Sequence, residues 1–163
     1  MLRGSVRLEL KETVAALSDF SKAIKLEPGL ADIYFHRAQA YAQSGDVHRA
    51  IADYGRAIRR DPRAYRALIN RGLAHIGMRE YAAAIADLTE AIEIGNELPQ
   101  CYRCRGRAYF EKGDYTRAID DYTESIRLDT TMVIAYHERA RDYEALGDAA
   151  RAAEDRAHTE RLQ

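Results

Sequence analysis

Ala16, Ala50, Ala84, Ala118 and Ala152 stand 34 residues apart, and this one period constrains the chain more than any local motif in it. A fixed step of about 20 to 50 residues marks a supersecondary unit that cannot bury its apolar face alone and stacks on copies of itself. Three further ladders keep the step: Leu17, Ile51, Ile85, Ile119 and Ala153; Ala23, Ala57, Ala91, Ser125 and Thr159; Phe20, Tyr54, Leu88, Tyr122 and Arg156. They divide the chain into repeats 1–30 (incomplete at its start), 31–64, 65–98, 99–132 and 133–163, with nothing left over for another domain.

Within residues 31–64 the apolar positions recur at helical spacing, first Ile33, Tyr34, Ala38 and Tyr41, then Ala50, Ile51, Tyr54, Ala57 and Ile58. Ser44-Gly45-Asp46 lies between the two sets. Glycine ends a helix in the left-handed region and aspartate begins the next as its N-cap, so each repeat is expected to be a helical hairpin. Glu27-Pro28 and Asp61-Pro62 stop the second helix. Asn96 and Thr130 replace that proline, and less abrupt connections are expected there. Ten helices and no sheet follow, an all-α chain.

Tyr34, Arg37, Ala38, Tyr41, Ala50, Tyr54, Ala57 and Pro62, with Tyr102, Arg105, Gly106, Tyr109, Ala118, Tyr122 and Ser125, carry a pattern that resembles the tetratricopeptide repeat. Leu68, His75 and Arg79 depart from it in the third repeat. The resemblance implies a right-handed superhelical solenoid of stacked antiparallel helical hairpins, one domain over residues 1–163. Ten of the eleven tyrosines stand in the recurrent ladders and are expected to pack between helices rather than to stack on bases.

Two charged ladders accompany the apolar ones. Arg3, Arg37, Arg71, Arg105 and Arg139 recur without exception, each followed 16 residues later by Asp19, Asp53, Asp87, Asp121 or Asp155. The arginine falls on the first helix and the aspartate on the second, so five intra-repeat ion pairs are expected, the guanidinium matching the carboxylate bidentately. Because an acid matches every arginine, a phosphate-binding stripe is the weaker reading.

Composition excludes several functions. With 25 basic and 26 acidic residues the chain has no net field to draw nucleic acid or an anionic membrane, and no apolar run reaches membrane-spanning length. Membrane insertion and nucleic-acid binding are therefore not expected, and without a signal peptide the chain reads as cytoplasmic. The five histidines form no metal-spaced set, and no nucleophile elbow or phosphate loop occurs. Neither enzymatic activity nor a cofactor is expected. Cys101 and Cys104 form a C-x-x-C, but zinc needs two further ligands and thioredoxin-like chemistry needs a preceding strand. Cys101, in register with Ile33, Ala67 and Ala135, reads as core. Cys104, near the helix start that Pro99 marks, is open to a lowered pKa.

In the family resembled, first helices line a concave groove that holds an extended peptide or a partner helix. The candidate groove residues here are Phe35, His36, Gln39, Arg66, Ile69, Asn70, Leu73, Arg103, Arg107, His137 and Arg141. The arginines suit an acidic or phosphorylated segment and Phe35, Ile69 and Leu73 an apolar anchor; alternatively the arginines pair with Glu111, Glu138 and Glu144. Some family members clamp the acidic tails of chaperones, but Asn70 is flanked by none of the residues that clamp requires. A protein-interaction scaffold is the leading expectation. The alternative is a self-assembling or targeting module of a larger protein, with apolar Leu2, Val6, Leu8, Leu10 and Val14 at the N-terminal end meeting a second copy two-fold. Arg156, Thr159 and Glu160 make the last helix polar, as a solenoid cap is.

Overall fold

The computed structural model describes residues 2–9, 12–95 and 97–162, without the side chains of Leu2, Arg3 and Glu9. Among the described residues every regular element is an α-helix, and there are ten. The chain divides into two compact units, Met1–Ala74 and His75–Gln163, and the division falls in the last turn of α5. The first unit holds α1 (Leu2–Glu9), α2 (Thr13–Leu26), α3 (Ala31–Gln43), α4 (Val47–Arg60) and most of α5 (Tyr65–Gly77). The second holds α6 (Tyr81–Ile94), α7 (Pro99–Glu111), α8 (Tyr115–Leu128), α9 (Val133–Ala145) and α10 (Ala149–Leu162). In the first unit α1 packs on α2, α2 on α3 and α3 on α4; in the second α6 packs on α7, α7 on α8, α8 on α9 and α9 on α10, and α7 also touches α9.

The turn between the two helices of a repeat is built the same way in the second to fifth repeats. Gly45, Gly113 and Gly147 take φ of 81°, 83° and 79°, and Arg79 takes the corresponding place with φ 61°. This left-handed residue lets the next amide turn back on the helix it has left: Asp46, Glu80, Asp114 and Asp148 donate N–H to the carbonyls of Tyr41, His75, Tyr109 and Tyr143 at 2.8–2.9 Å. Asp46, Asp114 and Asp148 then cap the following helix, accepting from the amides of Arg49, Arg117 and Arg151. Those arginines return over the tyrosine rings, Arg117 at 4.6 Å from Tyr109 and Arg151 at 4.7 Å from Tyr143. The third repeat substitutes a His75–Glu80 contact of 2.6 Å.

The second helices stop at one register with or without proline, which corrects the expectation of a gentler connection after Thr130. Asp129 ends α8 with φ −143° and ψ 95°, close to the −132° and 96° of Asp61, which precedes Pro62. The Asp129 carboxylate accepts from both the amide and the hydroxyl of Thr131, so a side chain does what the ring does elsewhere. Asn96 lies outside the described residues.

Alanine sets the spacing of the core. Ala16, Ala38, Ala50, Ala57, Ala84, Ala91, Ala118 and Ala135 are wholly buried and let neighbouring helices approach until the large side chains interlock. In the first unit Leu8, Phe20 and Ile33 form one cluster with Ala16 and Ala40, while Tyr34, Phe35 and Tyr54 form another. In the second unit Tyr122, 1% exposed, lies against Gly106, where an added Cβ would come within 2.9 Å of the ring. Of the apolar residues expected at the N-terminal end, Leu8 is buried and Val6 and Val14 are exposed. Leu10 and the Leu2 side chain lie outside the described residues.

Candidate functional site

At three places the charged ladder joins the two helices of one hairpin by paired hydrogen bonds. Arg37 donates Nε and Nη2 to Asp53 at 2.6 and 3.0 Å, Arg105 to Asp121 at 2.8 and 2.7 Å, and Arg139 to Asp155 at 2.9 and 2.7 Å. Each guanidinium also points Nη1 backward, to Ser21, Thr89 or Thr123 on the second helix of the preceding repeat. One side chain therefore fastens three helices. Its carboxylate bonds hold Arg105 above the ordinary arginine range, while burial pushes Asp121 up against the pull of Arg105. Desolvation thus opposes the attraction at Asp121, and a buried pair of this kind is weak evidence for net stability. Arg71 is half-buried on α5, and Asp87 is buried in the second unit, 3.8 Å from His75 Nε2. Asp19 accepts from Arg7 at 2.8 Å, and the Arg3 side chain lies outside the described residues.

In the first unit, three candidate groove residues meet at a cavity of about 310 Å³, lined by Phe35, His36 and Arg66 together with Asp32, Asp61 and Arg63. Phe35 is 7% exposed and lies against the Tyr54 ring, and the Arg66 guanidinium stands 5.2 Å above it. His36 is held between the Phe20 ring, stacked at 6.0 Å, and the Gln39 amide oxygen, 3.1 Å from Nδ1. Asn70 hydrogen-bonds the Tyr54 hydroxyl, which burial pushes up to about 12. Ile69 and Leu73 are half-buried on α5 and do not line the cavity. Asp61 and Arg63 come from the turn between α4 and α5, where an inventory of first-helix positions does not look.

In the second unit, one carboxylate feels the charge of three arginines. Glu138 of α9 has Arg103 Nη1 at 3.5 Å from its Oε2, the outer limit of hydrogen bonding, and Arg107 and Arg141 also act on it. Burial nevertheless pushes the Glu138 carboxyl above its usual range. Arg141 lies 4.5 Å over the Phe110 ring. One turn beyond Glu138, Asp142 is 0% exposed and neither of its oxygens accepts a hydrogen bond from the protein. Burial pushes Asp142 up to about 7. It occupies the register of Ala40, Ala74 and Ala108, so a carboxylate stands where three repeats have a methyl group. His137 is exposed. Of the acids considered as partners for these arginines, Glu138 meets Arg103, Glu144 pairs with Arg156 of α10, and Glu111 is exposed.

The cysteines fall between helices. Cys101 and Cys104 are 0% and 2% exposed, and burial raises both thiols, Cys101 to about 11. This corrects the expectation of a lowered Cys104: the desolvation of α7 against its neighbours outweighs the helix start and the nearby Arg103 and Arg107. Among the described residues, no group of three histidines, cysteines or acids could hold a metal ion, and no helix is long and apolar enough to cross a membrane.

The tetratricopeptide repeat family matches residues 35–99 and again residues 99–131, together more than half of the chain. Similar solved structures cover nearly all of it. A crystal structure of MamA superposes with a TM-score of 0.92 at 21% identity, covering 98% of this chain and 93% of that one. MamA from Desulfovibrio magneticus RS-1 superposes with a TM-score of 0.92 at 18% identity, covering 98% and 90%. YrrB, described as a TPR protein with an unusual peptide-binding site, superposes with a TM-score of 0.83 at 16% identity, covering 98% and 82%. At these identities the likeness establishes the fold alone. No curated protein sequence matches the chain.

Proposed function

Because the chain belongs to the tetratricopeptide-repeat family, we propose that it is a non-enzymatic protein-interaction scaffold whose first helices bind a peptide or helical segment of a partner. The observation that carries this reading is Arg103 of α7 standing 3.5 Å from Glu138 of α9, a carboxylate that also feels the charges of Arg107 and Arg141. Guanidinium groups from adjacent first helices, outside the structural ladder, form an anion-selective surface for aspartate, glutamate or phosphorylated side chains. The cavity over Phe35 in the first unit supports the same reading, offering an aromatic floor with Arg66 at its edge for an anchoring side chain. The peptide-binding site of YrrB, on the same fold, supports it further.

The test is affinity capture with the wild type and an Arg103→Glu, Arg107→Glu variant whose helix content is checked by circular dichroism. Loss of the captured partner from the folded variant, with its recovery on a phosphorylated or acidic peptide of that partner, is the expected outcome. Equal capture by both proteins removes these arginines from the binding surface.

A further inference from the structure

Glu138 lies beside Arg103, one of the arginines proposed above to bind a partner's carboxylate. Its register is that of His36, Asn70 and Cys104, the middle of each first helix, and Arg103, Arg107 and Arg141 all act on it. Yet its Oε2 is buried and reaches Arg103 only at 3.5 Å. An external carboxylate or phosphate, free of α9, can approach a guanidinium at the 2.7–2.9 Å of a charge-assisted bond. Asp142, one turn further along α9, is buried with no hydrogen bond to either oxygen. An ionised carboxylate in that position is costly, and a proton removes the cost.

Resting on the acidic-segment reading above, we propose that Glu138 is an internal occupant of the anion site formed by Arg103, Arg107 and Arg141. An acidic segment of a partner displaces it, with uptake of a proton by the Glu138–Asp142 pair, so that binding tightens as pH falls.

The surrounding charges account for the direction. From α7 the pair meets Arg103, Arg107 and the Cys104 thiol; from α8 it meets the Tyr122 phenol, also pushed up by burial; on α9 itself it meets Arg141. From α10, Asp155 is engaged with Arg139, Arg156 with Glu144 and Arg151 with Asp148, while the His158 ring lies against Tyr136 and Arg161. The arginines are the favourable charges near the pair. When a partner's anion occupies them, it adds like charge beside two carboxyls that burial already disfavours as anions, and their protonated forms gain. Reciprocally, protons bound there leave the three guanidinium groups without their internal competitor. Free Asp142 takes its proton near 7, so the uptake that accompanies binding occurs above about pH 7, where the free chain is ionised and the occupied one is not.

The test uses the full chain and a rhodamine-labelled ten-residue peptide of alternating glutamate and glycine, read by fluorescence anisotropy at pH 8 and pH 6 and constant ionic strength. A peptide with glutamine in place of glutamate is the control. The wild type is expected to bind roughly fivefold or more tightly at pH 6, since uptake of one full proton gives about tenfold per pH unit. Glu138→Gln is expected to bind severalfold more tightly than the wild type at pH 8. Asp142→Asn is expected to lose most of the pH response, and Asp142→Ala, which restores the residue of the other repeats, provides a second variant should the buried amide disturb folding. A pH response that survives in both Asp142 variants, or a Glu138→Gln protein that binds no better than the wild type, overturns the proton-linked exchange while leaving the acidic-segment reading standing. Absence of binding by all the proteins at both pH values overturns the two together.

Discussion

Arg105 of α7 donates Nη1 to Thr89 Oγ1 of α6 at 3.1 Å while its other nitrogens hold Asp121 of α8. The bond to Thr89 is inter-repeat and the bonds to Asp121 are intra-repeat, so one guanidinium ties the stability of a hairpin to its fit on the hairpin before it. Thr89→Val keeps the shape and removes the acceptor, and is expected to cost about 0.5–1.5 kcal/mol. Arg105→Met strands a buried carboxylate and is expected to cost about 3 kcal/mol or more. Chemical denaturation of the two single variants and the double variant checks the link: a coupling energy above about 0.5 kcal/mol is expected, and strict additivity contradicts it.

Gly106 admits the Tyr122 ring to the backbone of α7, so that a methyl group added there would lie only 2.9 Å from Cε1. Alanine is the better helix former by about 1 kcal/mol, but the ring is buried and has little room to retreat. Gly106→Ala is therefore expected to destabilise by about 1–3 kcal/mol from overpacking. A thermal midpoint equal to or above that of the wild type would show that the ring yields.

Arg79 occupies the left-handed place that glycine fills in three other hairpins. A side chain there costs about 1 kcal/mol relative to glycine. Arg79→Gly is expected to stabilise by roughly that amount, less the greater freedom glycine has in the unfolded chain. Thermal denaturation reads the result, and a fall in the midpoint would assign the arginine a compensating contact.

Asp142 carries a pH dependence of stability with a definite sign. Its folded-state pKa of about 7 lies above that of an unfolded aspartate, so between about pH 4 and 7 the folded state binds the extra proton and stability falls as pH rises. Asp142→Ala is expected to stabilise at pH 8 by roughly 1–4 kcal/mol, with the gain shrinking below about pH 7 and smallest near pH 4. Urea denaturation at pH 8 and pH 5 measures the difference, and a gain equal at both values would locate the titration elsewhere.

Much of this was legible in the sequence because the repeat converts spacing into geometry. A step of 16 residues between arginine and aspartate is the distance from one helix of a hairpin to the other, and Gly45, Gly113 and Gly147 mark the turns where the chain needs a positive φ. The hydroxyl acceptors were harder to see. Ser21, Gly55, Thr89 and Thr123 share a register, but an Arg–Asp pair looks complete, and nothing in spacing says that a guanidinium has a third nitrogen to place. At Gly55 the arrangement is consistent: an added Cβ would lie 3.3 Å from Arg71 Nη1. Asp142 was visible as an interruption in an alanine ladder, though its lack of partners depends on packing that no spacing encodes. Cys104 misled for the related reason that a position near a helix start looks electropositive until the neighbouring helices cover it.

The bond from Arg139 to Thr123 also bears on how the second unit comes apart. Asp155, which holds the guanidinium in place, lies on α10, and Thr123 lies on α8, so Arg139 on α9 communicates between two helices that flank it. When α10 peels away, Arg139 loses the anchor that aims its third nitrogen, which weakens the seam between α8 and α9. Fraying in such an array is a shared event rather than a local one: the cost of opening the last hairpin includes part of the grip on the one before it.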